Sequence, residues 1–143
     1  MLKRIKKSGG FSLIELLAVL AILSILMAVA VPATAGYIKS ARRAAAYTES
    51  QIAADAVQLY LYDEKEAGRV TVGKLHKLMN LNLSDPENVL ADNISGGQKT
   101  SRIVSVDADL KTGQLKKLIY ENKFVKVSLT VDEDGTRNME EDT

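Results

Sequence analysis

Cysteine and tryptophan are absent from this 143-residue chain, and histidine occurs once. Without cysteine there is neither a disulfide nor a thiolate metal site, so a folded domain must be held together by packing alone. The chain also lacks an excess of one charge, since 19 Lys and Arg residues nearly balance 18 Asp and Glu. This balance gives no reason to expect nucleic acid or an acidic substrate as a partner.

A recognisable catalytic motif is lacking as well. The chain has no clustered Ser/His/Asp pattern and no paired-carboxylate pattern, which argues against an enzyme and leaves no cofactor to assign. Residues 132–135, DEDG, are similar to part of a calcium-binding loop, but a turn followed by a frayed acidic tail over 132–143 is the favoured interpretation. The single histidine, His76, is expected on the polar side of a short helix as a surface residue.

One long apolar run stands out against these absences. It extends from Phe11 to Val31 with Glu15 as its only charged residue, and about 20 such residues span a bilayer as a helix. The basic residues before it predict a cytoplasmic N-terminus and an exported remainder: Lys3, Arg4, Lys6 and Lys7. A cleaved secretory signal with a cut near Ala33 or Ala35, and a plain signal anchor, are alternative interpretations.

The start of the chain, MLKRIKKSGG followed by FSLIELLAVLAILSILMAVAV, resembles the class III signal peptide of type IV pilins and pseudopilins. That family has a short basic leader ending in glycine, then Phe-Ser/Thr-Leu-Ile/Val-Glu, then a continuous apolar helix. The resemblance covers residues 1–32. It implies that a prepilin peptidase cuts between Gly10 and Phe11, removes leader 1–10, and methylates the new amine of Phe11. Residues 11–32 would remain as a transmembrane and assembly helix.

Glu15 has two compatible explanations. Locally, Ser12-Leu13-Ile14-Glu15 fits a capping box, and its carboxylate opposes the positive end of the helix dipole. The resemblance implies a second role, in which Glu15 pairs with the Phe11 amine of a neighbouring subunit and sets its axial register. A charge at mid-bilayer costs about 2.5–3.5 kcal/mol, which such a partner would offset.

Pro32 follows the apolar run and removes a hydrogen bond to the Ala28 carbonyl if it lies within a helix. It either marks the end of the membrane span or, as the resemblance favours, kinks one long helix. Ser24 stands where many pilins have glycine, which weakens the expectation that this segment melts in a filament.

Residues 33–68 are predicted to form the amphipathic second half of the helix, ending at Gly68. The predicted apolar stripe is formed by residues three or four positions apart: Ile38, Ala41, Ala45, Thr48, Ile52, Ala56 and Leu59.

Residues 69–131 are predicted to form an exported head, with a short helix over 71–79 that has Thr71 as a possible cap. A loop with turns at residues 84–86 and 95–97 follows, and then a three-stranded antiparallel sheet over 102–110, 114–120 and 124–131. The predicted fold class is therefore α+β, a long helix packed on a small sheet, as in pilins.

The resemblance implies a structural subunit of a type IV pilus or pseudopilus filament. Its partners would be other subunits, the prepilin peptidase and, indirectly, an assembly ATPase and a membrane platform protein. It would be a single-pass protein of the cytoplasmic membrane and, after assembly, part of a cell-surface or periplasmic filament. The alternative is a monomeric signal-anchored protein whose exported head binds a ligand. The lack of cysteine mildly favours a pseudopilin, or a pilin from a single-membrane or anaerobic bacterium.

Overall fold

The computed structural model describes residues 10–94 and 100–142. Most of the predicted leader and the predicted turn at residues 95–97 lie outside the described residues. The elements are α1 Leu13–Glu66, α2 Val72–Leu78, β1 Leu81–Asn82, β2 Arg102–Asp109, β3 Gln114–Glu121, β4 Lys126–Val131 and β5 Arg137–Glu141. The fold is α+β and pilin-like, with a long N-terminal helix packed on an antiparallel sheet, which confirms the predicted fold class.

Helix α1 contains 54 residues, and Pro32 lies inside it. Its end is set by Gly68, whose φ of +67° is a conformation that glycine adopts at little cost. The Gly68 N–H donates to the Lys65 carbonyl at 2.9 Å, and the Arg69 N–H donates to the Glu64 carbonyl at 2.8 Å. These two bonds form a Schellman motif, which confirms the predicted stop. The described part of the chain divides into two compact units, with the boundary between Lys39 and Ser40.

The sheet is a meander of five strands in the order β1-β2-β3-β4-β5. The prediction of three strands was therefore incomplete, because it missed the first and the last. β1 has only two residues, too few for an alternating pattern to show. The helix predicted over 71–79 is present as α2, where Thr71 is the N-cap residue without a side-chain capping bond. His76 is exposed, as predicted.

Strand β5 corrects the prediction of a frayed tail over residues 132–143. Its side chains are mostly polar, so it lacks the apolar alternation by which strands are recognised. Arg137 forms an ion pair with Asp55 of α1 at 2.6 Å, and Glu141 forms another with Arg43 of the same helix. Between them, Met139 packs against the core. Pairing with β4, packing of Met139 and contacts with α1 therefore place a strand that local propensity does not predict.

The sheet's inner face supplies most of the core. Val106, Leu118 and Leu129 are paired across three strands, and each is at most 3% exposed. Tyr120 and Val127 form the next row, also fully buried. This agrees with the alternation that predicted β4.

The face of α1 that packs on the sheet differs from the predicted stripe. Of the predicted residues only Ala56 is buried, while Ile52 is 50% exposed and Leu59 49% exposed. The buried residues recur at helical spacing on another side of the helix: Ala46, Ser50, Ala53, Ala54, Val57, Leu61 and Glu64. Small side chains dominate the first part of this face, and they let a helix approach a sheet closely. The prediction was wrong because both sides of the helix carry apolar residues at helical spacing, and the packing of the sheet decides which side is buried.

Two polar side chains of α1 fix the helix to the sheet's connections. Gln58 donates to the Gly113 carbonyl and accepts from the Leu115 N–H, both at 2.8 Å. Glu49 accepts from the Tyr120 hydroxyl at 2.6 Å and from the Asn122 side chain at 2.9 Å. Burial and the neighbouring Glu49 carboxylate raise the pKa of Tyr120, so the phenol stays a donor.

Replacing Gln58 with leucine should lower the free energy of unfolding by about 1–3 kcal/mol, because it leaves a backbone donor and acceptor without partners. Gln51→Leu is the matched control, since Gln51 is exposed on the same helix and its loss should cost no more than about 0.5 kcal/mol. Urea unfolding of the detergent-solubilised full chain, followed by circular dichroism, measures both. Equal losses for the two variants would contradict the role of Gln58.

Glu64 is buried and accepts from the Lys74 ammonium at 3.0 Å and the Arg69 guanidinium at 3.3 Å. The Lys74 hydrogen bond, helped by Arg69 and opposed by burial, holds the pKa of Glu64 below its ordinary value of 4.5. A carboxyl with a lowered pKa stabilises the fold above its unfolded-state pKa, and this contribution is lost as the pH falls through the folded-state value.

The unfolding free energy of the wild-type chain should therefore exceed that of Glu64→Gln at pH 7, and the difference should shrink as the pH falls below 4.5. Urea unfolding of both proteins between neutral and strongly acidic pH measures this difference. Glu66→Gln, an exposed neighbour, serves as the control. A difference that does not change with pH would overturn the role assigned to the Glu64 carboxylate.

Candidate processing and assembly site

Gly10 and Phe11 lie immediately before α1, outside regular structure. Gly10 is exposed, nothing lies within 4 Å of where its Cβ would be, and Phe11 is 85% exposed. A protease must bind its substrate in an extended form, and glycine lets the backbone approach an enzyme closely. The peptide bond predicted as the cut therefore lies in an accessible, non-helical segment.

Ser12 and Glu15 form the predicted capping box at the start of α1. The Glu15 carboxylate (Oε2) accepts from the Ser12 N–H at 2.9 Å, and the Ser12 hydroxyl accepts from the Ile14 N–H at 3.4 Å. A carboxylate has about four acceptor positions, so one hydrogen bond leaves room for a further donor. The Ser12 amide lies on the carboxyl side of the predicted cut, so cleavage would leave this bond in place.

The apolar run of α1 is exposed along its whole length, and it is long and apolar enough to cross a membrane. Its one hydroxyl, that of Ser24, donates to the Leu20 carbonyl at 2.7 Å, so it needs no partner from outside the helix. After Pro32, the Thr34 hydroxyl donates to the Val31 carbonyl at 2.9 Å. The helix continues through Pro32, and a kink there stays a prediction.

These features combine a helix that is long and apolar enough to cross a membrane with an accessible peptide bond and a capping carboxylate at its start. Residues 5–31 match the family described as the prokaryotic N-terminal methylation motif. The chain thus carries the class III signal peptide of type IV pilin-like proteins, the motif found on pilin-like and pseudopilin substrates of prepilin peptidase. No curated protein matches the chain, and no solved structure does.

The structure brings Ser12 and Glu15 together at the start of α1, next to Gly10 and Phe11, whereas Pro32 lies farther along the same helix. One of the contacts that sequence reasoning missed involves an exposed aromatic side chain outside this site. The guanidinium of Arg42 lies 4.0 Å from the centroid of the Phe124 ring. The two residues are far apart in the chain, so no local pattern could have indicated their contact.

Gly10→Val should leave most of the protein as an uncleaved precursor, because a branched Cβ would intrude where the peptidase must approach the backbone. Intact-mass spectrometry of the membrane-extracted chain would show leader 1–10 retained. Gly36→Val is the control, since Gly36 is exposed within α1 and nothing lies near its missing Cβ. A mature N-terminus at Phe11 in wild-type amounts for Gly10→Val would contradict the assigned cut.

Proposed function

We propose that this chain is a structural, non-catalytic subunit of a type IV pilus or pseudopilus filament. Prepilin peptidase cuts between Gly10 and Phe11 and methylates Phe11, and the subunit then assembles through the helix that begins just after the cut. The methylation motif supports the processing steps. Assembly is supported by the surface of the helix itself.

The observation that carries the proposal is that the exposed apolar surface of α1 is longer than a bilayer can cover. A membrane covers about 20 helical residues, which the run up to Val31 already supplies. Ile52 and Leu59 lie well beyond it, are half exposed, and are on a side of α1 that the sheet leaves uncovered. Ile52 and Leu59 are seven positions apart, so they lie on one side of the helix and form a stripe suited to a contact with another helix. Helices of other copies, which carry the same stripe, would cover it.

Glu15 supports the same conclusion at the other end of the helix. Its carboxylate would leave lipid only when it moves into a bundle of helices, where an uncompensated charge is costly. Processing creates an amine on Phe11 of an adjacent copy. This amine is positively charged and would neutralise the Glu15 carboxylate. Pairing of the two would fix how far each incoming subunit is displaced along the filament axis.

Partners and location follow from this assignment. The apolar helix and the motif support anchoring in a membrane by the N-terminal segment. The basic leader favours a cytoplasmic N-terminus and a head outside the cytoplasmic membrane. Extraction of an apolar helix from lipid is not spontaneous, so an ATPase and a membrane platform protein are proposed to drive it. A monomeric anchor would leave the stripe around Ile52 exposed to water.

Two substitutions separate the capping role of Glu15 from the pairing role. Glu15→Gln keeps an acceptor for the Ser12 N–H but removes the charge, so processing should continue while incorporation into filaments is lost. Ser12→Ala removes the capping hydroxyl at a local cost of about 1 kcal/mol and keeps the charge, so filaments should still form. Electron microscopy of sheared surface fibres, labelled with an antibody against residues 100–142, together with mass spectrometry of the mature N-terminus, measures both outcomes.

Wild-type filament yield from the Glu15→Gln variant would show that the charge has no register role. Loss of filaments from Ser12→Ala with normal yield from Glu15→Gln would assign the site to capping alone. A processed wild-type chain that never enters fibres would favour the signal-anchored monomer over the filament subunit.

A further inference from the structure

The hairpin between β3 and β4 places Phe124 at its turn with half of its surface exposed. The Arg42 guanidinium lies 4.0 Å from the ring centroid, and the Lys123 ammonium lies 5.7 Å from it. We call these three residues the hairpin patch. Several large apolar side chains of the head are exposed, among them Val72 and Phe124, but Phe124 is its one phenylalanine and has two cations beside its ring.

The exposure of Phe124 is built into the fold. The Asn122 side-chain oxygen accepts from the Phe124 N–H and from the Val125 N–H, both at 2.9 Å, which fixes the turn. The Asn122 amide in turn donates to Glu49 of α1 at 2.9 Å. Asn122 itself is buried. The buried Asn122 side chain therefore holds the turn against the helix, and the Phe124 ring at that turn is half exposed.

The hairpin patch carries positive charge that the described part of the chain does not neutralise. Among residues 10–94 and 100–142, neither Arg42 nor Lys123 forms an ion pair, whereas the adjacent Arg43 pairs with Glu141. At the same end of the sheet, Lys126 pairs with Asp142 at 2.6 Å. Within these ranges, the hairpin patch therefore presents two cations without an ion-pair partner beside an aromatic ring. This combination is typical of membrane interfaces.

The position of Arg42 along the chain favours a lipid surface as the partner. Arg42 follows Val31, the last residue of the apolar run, by eleven positions in the sequence. A connection this short keeps the hairpin patch near the surface of any membrane that holds the apolar run. The headgroup layer adds roughly 5–8 Å to the hydrocarbon core, and charge attraction extends over a Debye length of about 8 Å.

We infer that the hairpin patch docks on an anionic phospholipid surface when the protein is anchored in a membrane and is not part of a filament. Arg42 and Lys123 bind lipid phosphates, and Phe124 enters the headgroup layer. The anchor keeps the patch at a high effective concentration near the bilayer, so weak contacts suffice. The inference rests on membrane anchoring and does not depend on filament assembly.

The chain has no tryptophan, so Phe124→Trp introduces a single indole at the patch. The full-length variant is placed in nanodiscs of brominated phosphatidylcholine, with or without phosphatidylglycerol, at one copy per disc. Bromine should quench the indole, and its emission should shift to the blue, in discs with phosphatidylglycerol at low salt. Both effects should fall in pure phosphatidylcholine and at high salt, because the attraction is electrostatic.

Tyr62→Trp is the matched control. Tyr62 is an aromatic residue of α1 with 47% exposure, and it follows Val31 by 31 positions in the sequence, against eleven for Arg42. Its indole should not respond to lipid charge. In the Phe124→Trp background, Arg42→Gln or Lys123→Gln should each lower the ratio of docked to undocked protein about fivefold. Lys77→Gln, which removes an exposed cation elsewhere on the head, should leave it unchanged.

Quenching that is absent in both lipid mixtures, or equal in both, would overturn the inference. A signal that appears only with several copies per disc, whatever the lipid charge, would assign the patch to contact between subunits and would also overturn it. Hydroxyl-radical footprinting of the unsubstituted chain gives an independent measurement. Oxidation of Phe124 should be lower in phosphatidylglycerol discs than in phosphatidylcholine discs, and equal oxidation would count against docking.

Discussion

Helix α1 carries more apolar surface than its own sheet covers, and the rest of the molecule is arranged around that excess. One side, lined by small residues such as Ala46, Ala53 and Ala54, is covered by the sheet. Another side, with Ile52 and Leu59, remains open to solvent. The first half of the helix is long and apolar enough for lipid to cover it, and under the proposed function other subunits would cover the exposed side of the remainder.

The small-residue face also explains why polar side chains hold the helix and sheet together. Alanine contributes little apolar area, so this contact depends on close approach and on specific hydrogen bonds. Gln58 bonds the backbone where β3 begins, Glu49 bonds the β3–β4 hairpin, and Arg43 and Asp55 bond β5. Each contact links α1 to one connection or one edge of the sheet. Together these contacts set which side of the helix packs on the sheet and which side remains exposed.

Much of the fold could be predicted from the sequence because its signals are local. The apolar run, the glycine at 68, the short helix and the alternation over β4 each specify their element through neighbouring residues. The prediction missed elements that depend on distant partners. β5 is polar, and it is placed by its pairing with β4, by the packing of Met139 on the core and by ion pairs with α1. The face of α1 was misassigned because both sides are apolar, and only the sheet decides between them. At the site, the capping box is readable from four residues, whereas the contact of Arg42 with Phe124 is created by folding.

The capping bond of Glu15 has a consequence for the proposed cut. It uses the Ser12 amide, which survives cleavage, so the start of α1 is already complete before the leader is removed. Cleavage would then add no structure there and would change only charge, placing an ammonium group beside the positive end of a helix dipole. The Glu15 carboxylate of the same chain accepts one bond from its own backbone and keeps acceptor positions for a second donor. The new ammonium would add positive charge at the positive end of the dipole, and a carboxylate from another helix would offset that charge.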